Sequence, residues 1–221
     1  MEQRRHGHSL AARLLIAALL TPGLGACGGL LGARGLPPLP RDTQVFASEN
    51  HYEVSGTTVS EIGRSLHTGA SAALGGDYTG LHRWRMGYNY RYLEEGAGLC
   101  RVKEVSIELH SEISLPEWLD RERADPAIVE QWDTFITHLR AHEYGHRRHA
   151  YEAARELSRE LKNVRAPACG MISLRVGATS RRILDKYSEI DDEWDADPAN
   201  RVHWPPGGSN AQVSRDPAGA R

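Results

Sequence analysis

Hydrophobic and polar positions change rhythm several times along this chain, and each rhythm predicts an element. From Trp84 onward every second residue is large and apolar or aromatic (Trp84, Met86, Tyr88, Tyr90, Tyr92), and Val105, Ile107 and Leu109 repeat the alternation after the turn-like EEGAG. A period of two lines up side chains on one face of a strand, so these segments predict a hairpin in an antiparallel sheet. Upstream, QVFASENHYEVSG reads as a strand stopped by Gly56. TTVSEIGRSL reads as a short helix with Thr58 and Glu61 at capping-box spacing, and ASAALGGDYTG as a loop. The period then lengthens. Ile128, Trp132, Phe135, Ile136 and Leu139, then Ala150, Ala153, Leu157 and Leu161, recur at helical steps. Asp125-Pro126 supplies an N-cap and a first-turn proline, and Gly145 marks where so long a helix is expected to bend. A further helix is expected over TSRRILDKYSEIDDEW, capped by Thr179 or Ser180. The sum is an α+β domain with an antiparallel sheet packed on one long helix.

The ends of the chain follow different rules. Arg4, Arg5 and Arg13 flank an apolar run from Leu14 to Leu20 that is too short to span a bilayer and suits an export signal over residues 1–26. Leu24-Gly25-Ala26-Cys27 resembles the lipobox of bacterial lipoproteins. That resemblance implies cleavage before Cys27, lipidation of its thiol and a membrane anchor, and Gly28 in place of Asp points to the periplasmic face of the outer membrane. The alternative is an ordinary secretory signal cut near Ala26. Residues 27–42, rich in Gly and Pro, read as a tether, residues 43–204 as the folded domain, and residues 205–221 as a disordered tail. Cys100 and Cys169 remain, and in an oxidising compartment a leftover pair most simply forms a disulfide. The rival, a metal-binding pair, lacks any CxxC or CxxH spacing.

Composition narrows the function classes. The 221 residues suit one domain with appendages. A formal net charge of −2, with no basic stripe interleaved with aromatics, gives no field for gathering nucleic acid.

The chemistry concentrates in HLRAHEYGHRRHA. His142 and His146 lie one turn apart on a helix, so both imidazoles can reach one ion, with Glu143 beside them; this is the HExxH arrangement of zinc hydrolases. Zn²⁺ makes a water acidic near neutral pH, and Glu143 would act as general base. Both histidines continue the apolar stripe of Trp132, Phe135 and Leu139, where unpartnered imidazoles would be awkward to satisfy. The competing reading is a solvated His/Arg-rich face, but Arg140, Arg147 and Arg148 fall largely on the other side. A catalytic zinc needs a third protein ligand. His149 lies about 10 Å along the axis from His142 and cannot share its ion. Downstream, Glu193, Asp195 and His203 are available.

The stretch YEVSGTTVSEIGRSL, the Trp/Tyr-rich strand leading to Cys100, LPEW, Trp132 ahead of HEYGH and Cys169 after the long helix together resemble a bacterial family of unknown function described as secreted zinc-dependent proteases. The resemblance runs from about Tyr52 to His203. It implies a zincin-like fold, a peptide or protein substrate and a closing histidine at His203, which ranks ahead of Asp195 and Glu193 as third ligand. Tyr144, Tyr187 and His149 are the candidates to stabilise an oxyanion. Two rivals stand beside this metallopeptidase reading: a non-catalytic zincin-like envelope lipoprotein, and a metallohydrolase of peptidoglycan cross-links.

Overall fold

The computed structural model describes residues 36–76 and 78–206. Three long strands, β1 (Thr43–Val54), β2 (Leu81–Gly96) and β3 (Leu99–Trp118), lie in the order β1-β3-β2, and the two-residue β4 (Arg165–Ala166) joins the start of β3. β2 and β3 form the antiparallel hairpin that their alternation predicts. The hairpin closes through Ala97 (φ 52) and Gly98 (φ 81), both left-handed, as a tight two-residue turn requires.

The expectation of a wholly antiparallel sheet is corrected at β1, which pairs with β3 in parallel from Thr43↔Ile107 to Val54↔Trp118. The sheet is mixed. The reason lies in α1 (Val59–Leu74), which carries the chain from β1 at one edge to β2 at the other and leaves the central place for β3. Both bonds of the Thr58–Glu61 capping box are present. The helix runs through residues expected to form a loop, because Ala70 and Leu74 extend the buried stripe of Ile62 and Leu66. Gly75, at φ 79, ends it in the left-handed cap that glycine favours.

Helix α2 (Pro126–Lys162) starts where Asp125 accepts the Ala127 N–H at 2.8 Å and runs unbroken through Gly145. Its 37 residues span about 55 Å. The inward stripe crosses two hydrophobic clusters. Trp132, Phe135 and Leu139 pack with α1 and Trp204; Ala150, Ala153, Leu157 and Leu161 pack with the sheet and α3 (Ile172–Ala196). Residues 142–149 lie between the clusters, and the site is built there. Helix α3 begins earlier than expected, so Thr179 and Ser180 lie inside it and cap nothing; Ser180 Oγ donates to the Val176 carbonyl. The stripe Ile172, Val176, Ile183 and Tyr187 is what buries the extra turns.

Cys100 and Cys169 form a disulfide, with Cα atoms 5.1 Å apart, tying the start of β3 to the turn that leads into α3. Among the described residues no helix is long and apolar enough to cross a membrane. The signal, Cys27 and most of the tail lie outside the described residues.

Candidate metal centre

One helical turn separates His142 from His146 on α2, and one turn separates Asp191 from Asp195 on α3. The two pairs meet. His142 Nε2 and His146 Nε2 lie 3.0 and 2.9 Å from Asp195 Oδ1 and 3.2 Å from each other. The other ring nitrogens are already committed: His142 Nδ1 to the Asn200 carbonyl at 3.0 Å, His146 Nδ1 to Asp191 Oδ1 at 2.9 Å. Both partners only accept, so both Nδ1 atoms carry the hydrogen, and in the neutral form of each ring the Nε2 lone pair turns towards Asp195. Three acceptors this close repel one another unless a proton or a metal cation lies among them. The donor set therefore fits a metal ion.

Gly145 lets the helices approach. A Cβ there would stand 2.5 Å from Trp194 Cζ2, so the indole fills the space a side chain would take. Trp194 precedes Asp195 and also contacts the rings of His142 and His149, at 6.0 and 5.5 Å between centroids.

Glu143 is 3% exposed and accepts the backbone N–H of His82. Burial pushes its carboxyl up to about 7. Its room comes from Gly80, where a Cβ would fall 2.6 Å from Glu143 Oε1. Burial lowers His142, and the neighbouring His146 adds to the effect. Burial also opposes charge on His146, but the Asp191 hydrogen bond and the Asp195, Asp191 and Glu143 carboxylates outweigh it and hold its pKa above the ordinary value. His82 Nε2 meets Ser111 Oγ at 2.9 Å; burial first, then the Arg147 charge, lower it to about 3.

Of the three downstream candidates, Asp195 joins the two histidines, while Glu193 and His203 are exposed and outside the group. Trp204 explains His203. Its indole packs edge-on against Trp132 and Phe135 and donates to the Val59 carbonyl at 3.0 Å, which anchors the chain beside the first hydrophobic cluster, away from the histidine pair. The three oxyanion candidates have partners elsewhere: Tyr144 Oη with Glu49, Tyr187 Oη with Glu156, and His149 Nδ1 with Asp191. Arg147, expected on the solvated side, is buried, donating to Ser111 Oγ and the Ser48 carbonyl. Sequence reasoning missed Asp191. The signal was the i, i+4 acidic pair in EIDDEWDAD, which mirrors the spacing of the two histidines.

A family model described as "Bacterial protein of unknown function (DUF922)" matches residues 49–203, which contain every residue of this centre. No curated protein and no solved structure matches the chain. With most of its length inside that match, the chain belongs to this bacterial family of unknown function.

Proposed function

We propose that this protein is an envelope-anchored zinc-dependent peptidase with a zincin-like site, in which His142, His146 and Asp195 hold the ion and Glu143 is the general base. The observation that carries this reading is the donor set itself: two imidazole lone pairs and a carboxylate oxygen converge within 3.2 Å, with both Nδ1 atoms spoken for. Imidazole and carboxylate donors of this kind suit zinc. Among the described residues no fourth ligand joins the group, and three protein ligands leave a position open, as a catalytic zinc requires and a closed structural site does not. Asp195, with its side chain 55% exposed, lies on the open side. Bound there, zinc supplies Lewis acidity for hydrolysis.

The chain's own residues supply the proton transfer. Glu143 sits beside the ligand pair, buried and held by the His82 N–H, so its carboxylate can accept a proton and return it to a leaving amine. Export and lipidation at Cys27 rest on the N-terminal sequence, and the Cys100–Cys169 disulfide is in keeping with an oxidising compartment.

The test is zinc content per chain, beside a His146→Ala control. The expected result is one equivalent in the parent and little in the control. Glu143→Gln should then keep its zinc and lose hydrolysis of peptide substrates. A folded parent without specific metal overturns the reading. So does undiminished hydrolysis in Glu143→Gln, and cleavage of cell-wall fragments but not peptides would transfer it to that substrate.

A further inference from the structure

Asp191 belongs to a second group that could hold a metal, with His146 and His149. Every polar atom Asp191 presents is nevertheless occupied. Oδ1 accepts Nδ1–H of His146 at 2.9 Å and of His149 at 2.8 Å, and Oδ2 accepts the Trp84 indole N–H at 3.0 Å. The three donors come from two different elements, α2 and β2, and converge on one carboxylate from α3. Burial disfavours its charge, but hydrogen bonds from His146, His149 and Trp84 hold its pKa far below the usual carboxylate range.

We propose that Asp191 is the positioning residue of the centre: it fixes His146 as the Nδ1–H tautomer and so aims the Nε2 lone pair at the ion, with His149 and Trp84 holding its carboxylate in place. A second metal at His146, His149 and Asp191 would have to displace the Nδ1 hydrogens that these bonds use. An acidic partner on the far nitrogen of a metal-binding histidine fixes ring orientation and raises its basicity, and losing it costs about 10- to 100-fold in metal affinity. The inference extends the zinc reading above, but its tautomer test does not depend on it.

Two measurements on the purified full-length protein decide the matter. First, ¹⁵N-imidazole spectra of the metal-free protein in mildly alkaline buffer should show His146 as Nδ1–H in the parent and a mixture of tautomers in Asp191→Asn. An unchanged tautomer overturns the proposal whether or not the protein binds zinc. Second, competition with a chelator should show zinc held about 10- to 100-fold more weakly by Asp191→Asn, with the metal-free melting temperature close to that of the parent. Equal affinity overturns the proposal. Two zinc equivalents in the parent, one lost in His149→Ala, also overturn it, in favour of a second ion. Should Asp191→Asn fail to fold, Trp84→Phe replaces it. That variant frees only Oδ2 and leaves Oδ1 on the His146 Nδ1–H, so the expected result is a smaller loss of affinity with the tautomer retained; unchanged affinity overturns the proposal.

Discussion

Gly145 and Trp194 are matched so closely that a single added carbon on the glycine would stand 2.5 Å from the indole. Because each precedes a proposed ligand, His146 on one helix and Asp195 on the other, their contact sets the gap across which these side chains face. Gly145→Ala should therefore weaken zinc binding through α3, without touching a ligand. Alanine favours the helix by about 1 kcal/mol over glycine, but overpacking costs about 1–3 kcal/mol, so the net effect should be destabilising. Thermal melts of the metal-free protein and chelator competition measure the two parts. A more stable variant with unchanged affinity would refute the account.

Gly80 offers a way to separate the proposed base from the proposed ligands. A Cβ there would fall 2.6 Å from Glu143 Oε1 and 2.9 Å from Leu139 Cδ1, and neither His142 nor His146 supplies one of the three atoms nearest to it. Gly80→Ala should displace the carboxylate and lower peptide hydrolysis by about 100-fold, the scale of a 1 Å misplacement. Zinc content should stay at the parent level. Loss of both together would mean that the loop supports the whole centre.

The turn between β1 and α1 is held by two carboxylates, Asp120 on the Gly56 N–H at 2.7 Å and Glu61 on the Thr57 and Thr58 N–H groups at 3.0 and 3.1 Å. Backbone hydrogen bonds lead the causes that lower both pKa values. A lowered folded-state pKa gives stability that is complete above the unfolded value and is lost as pH falls through the folded one. Denaturant melts should thus weaken on acidification below the ordinary carboxylate range, and Asp120→Asn should flatten that dependence. An equally steep profile in the variant would remove Asp120 from the explanation.

The Cys100–Cys169 link closes a sequence separation of 69 residues. In the chain-entropy model a loop of that length contributes about 4 kcal/mol. Mild reduction, or Cys169→Ser, should lower the melting temperature while leaving zinc content unchanged below it, because neither cysteine contacts the centre.

How far the fold was legible depended on whether local rules decided each element. The hairpin, the capping box at Thr58 and the Asp125 cap are local, and all three can be read from a few consecutive residues. The parallel pairing of β1 cannot, since an alternating strand looks the same whichever direction its partner runs. Helix α3 was shortened in the reading because Thr179 and Ser180 look like a cap, whereas Ile172 and Val176 bury the turns before them. At the centre, the helical spacing of His142 and His146 was visible, as was Glu143 beside them. The identity of the third group was not. It depends on Trp204 docking against Trp132 and Phe135 and on Trp194 fitting Gly145, contacts between residues far apart in sequence.

The parallel register of β1 also bears on the order in which the molecule assembles. Thr43 pairs with Ile107 and Val54 with Trp118, so the first strand must wait for a partner made some sixty residues later. The hairpin of β2 and β3 needs only its own turn, and α1 and α2 carry their own caps, so these units can form early. Until β1 arrives, one edge of β3 stays open along its length, and an open edge invites pairing with another chain. A chain emerging unfolded into a crowded compartment would be most exposed to misassociation in that interval, and slow, topology-limited closure of the sheet is the step where a chaperone would matter most.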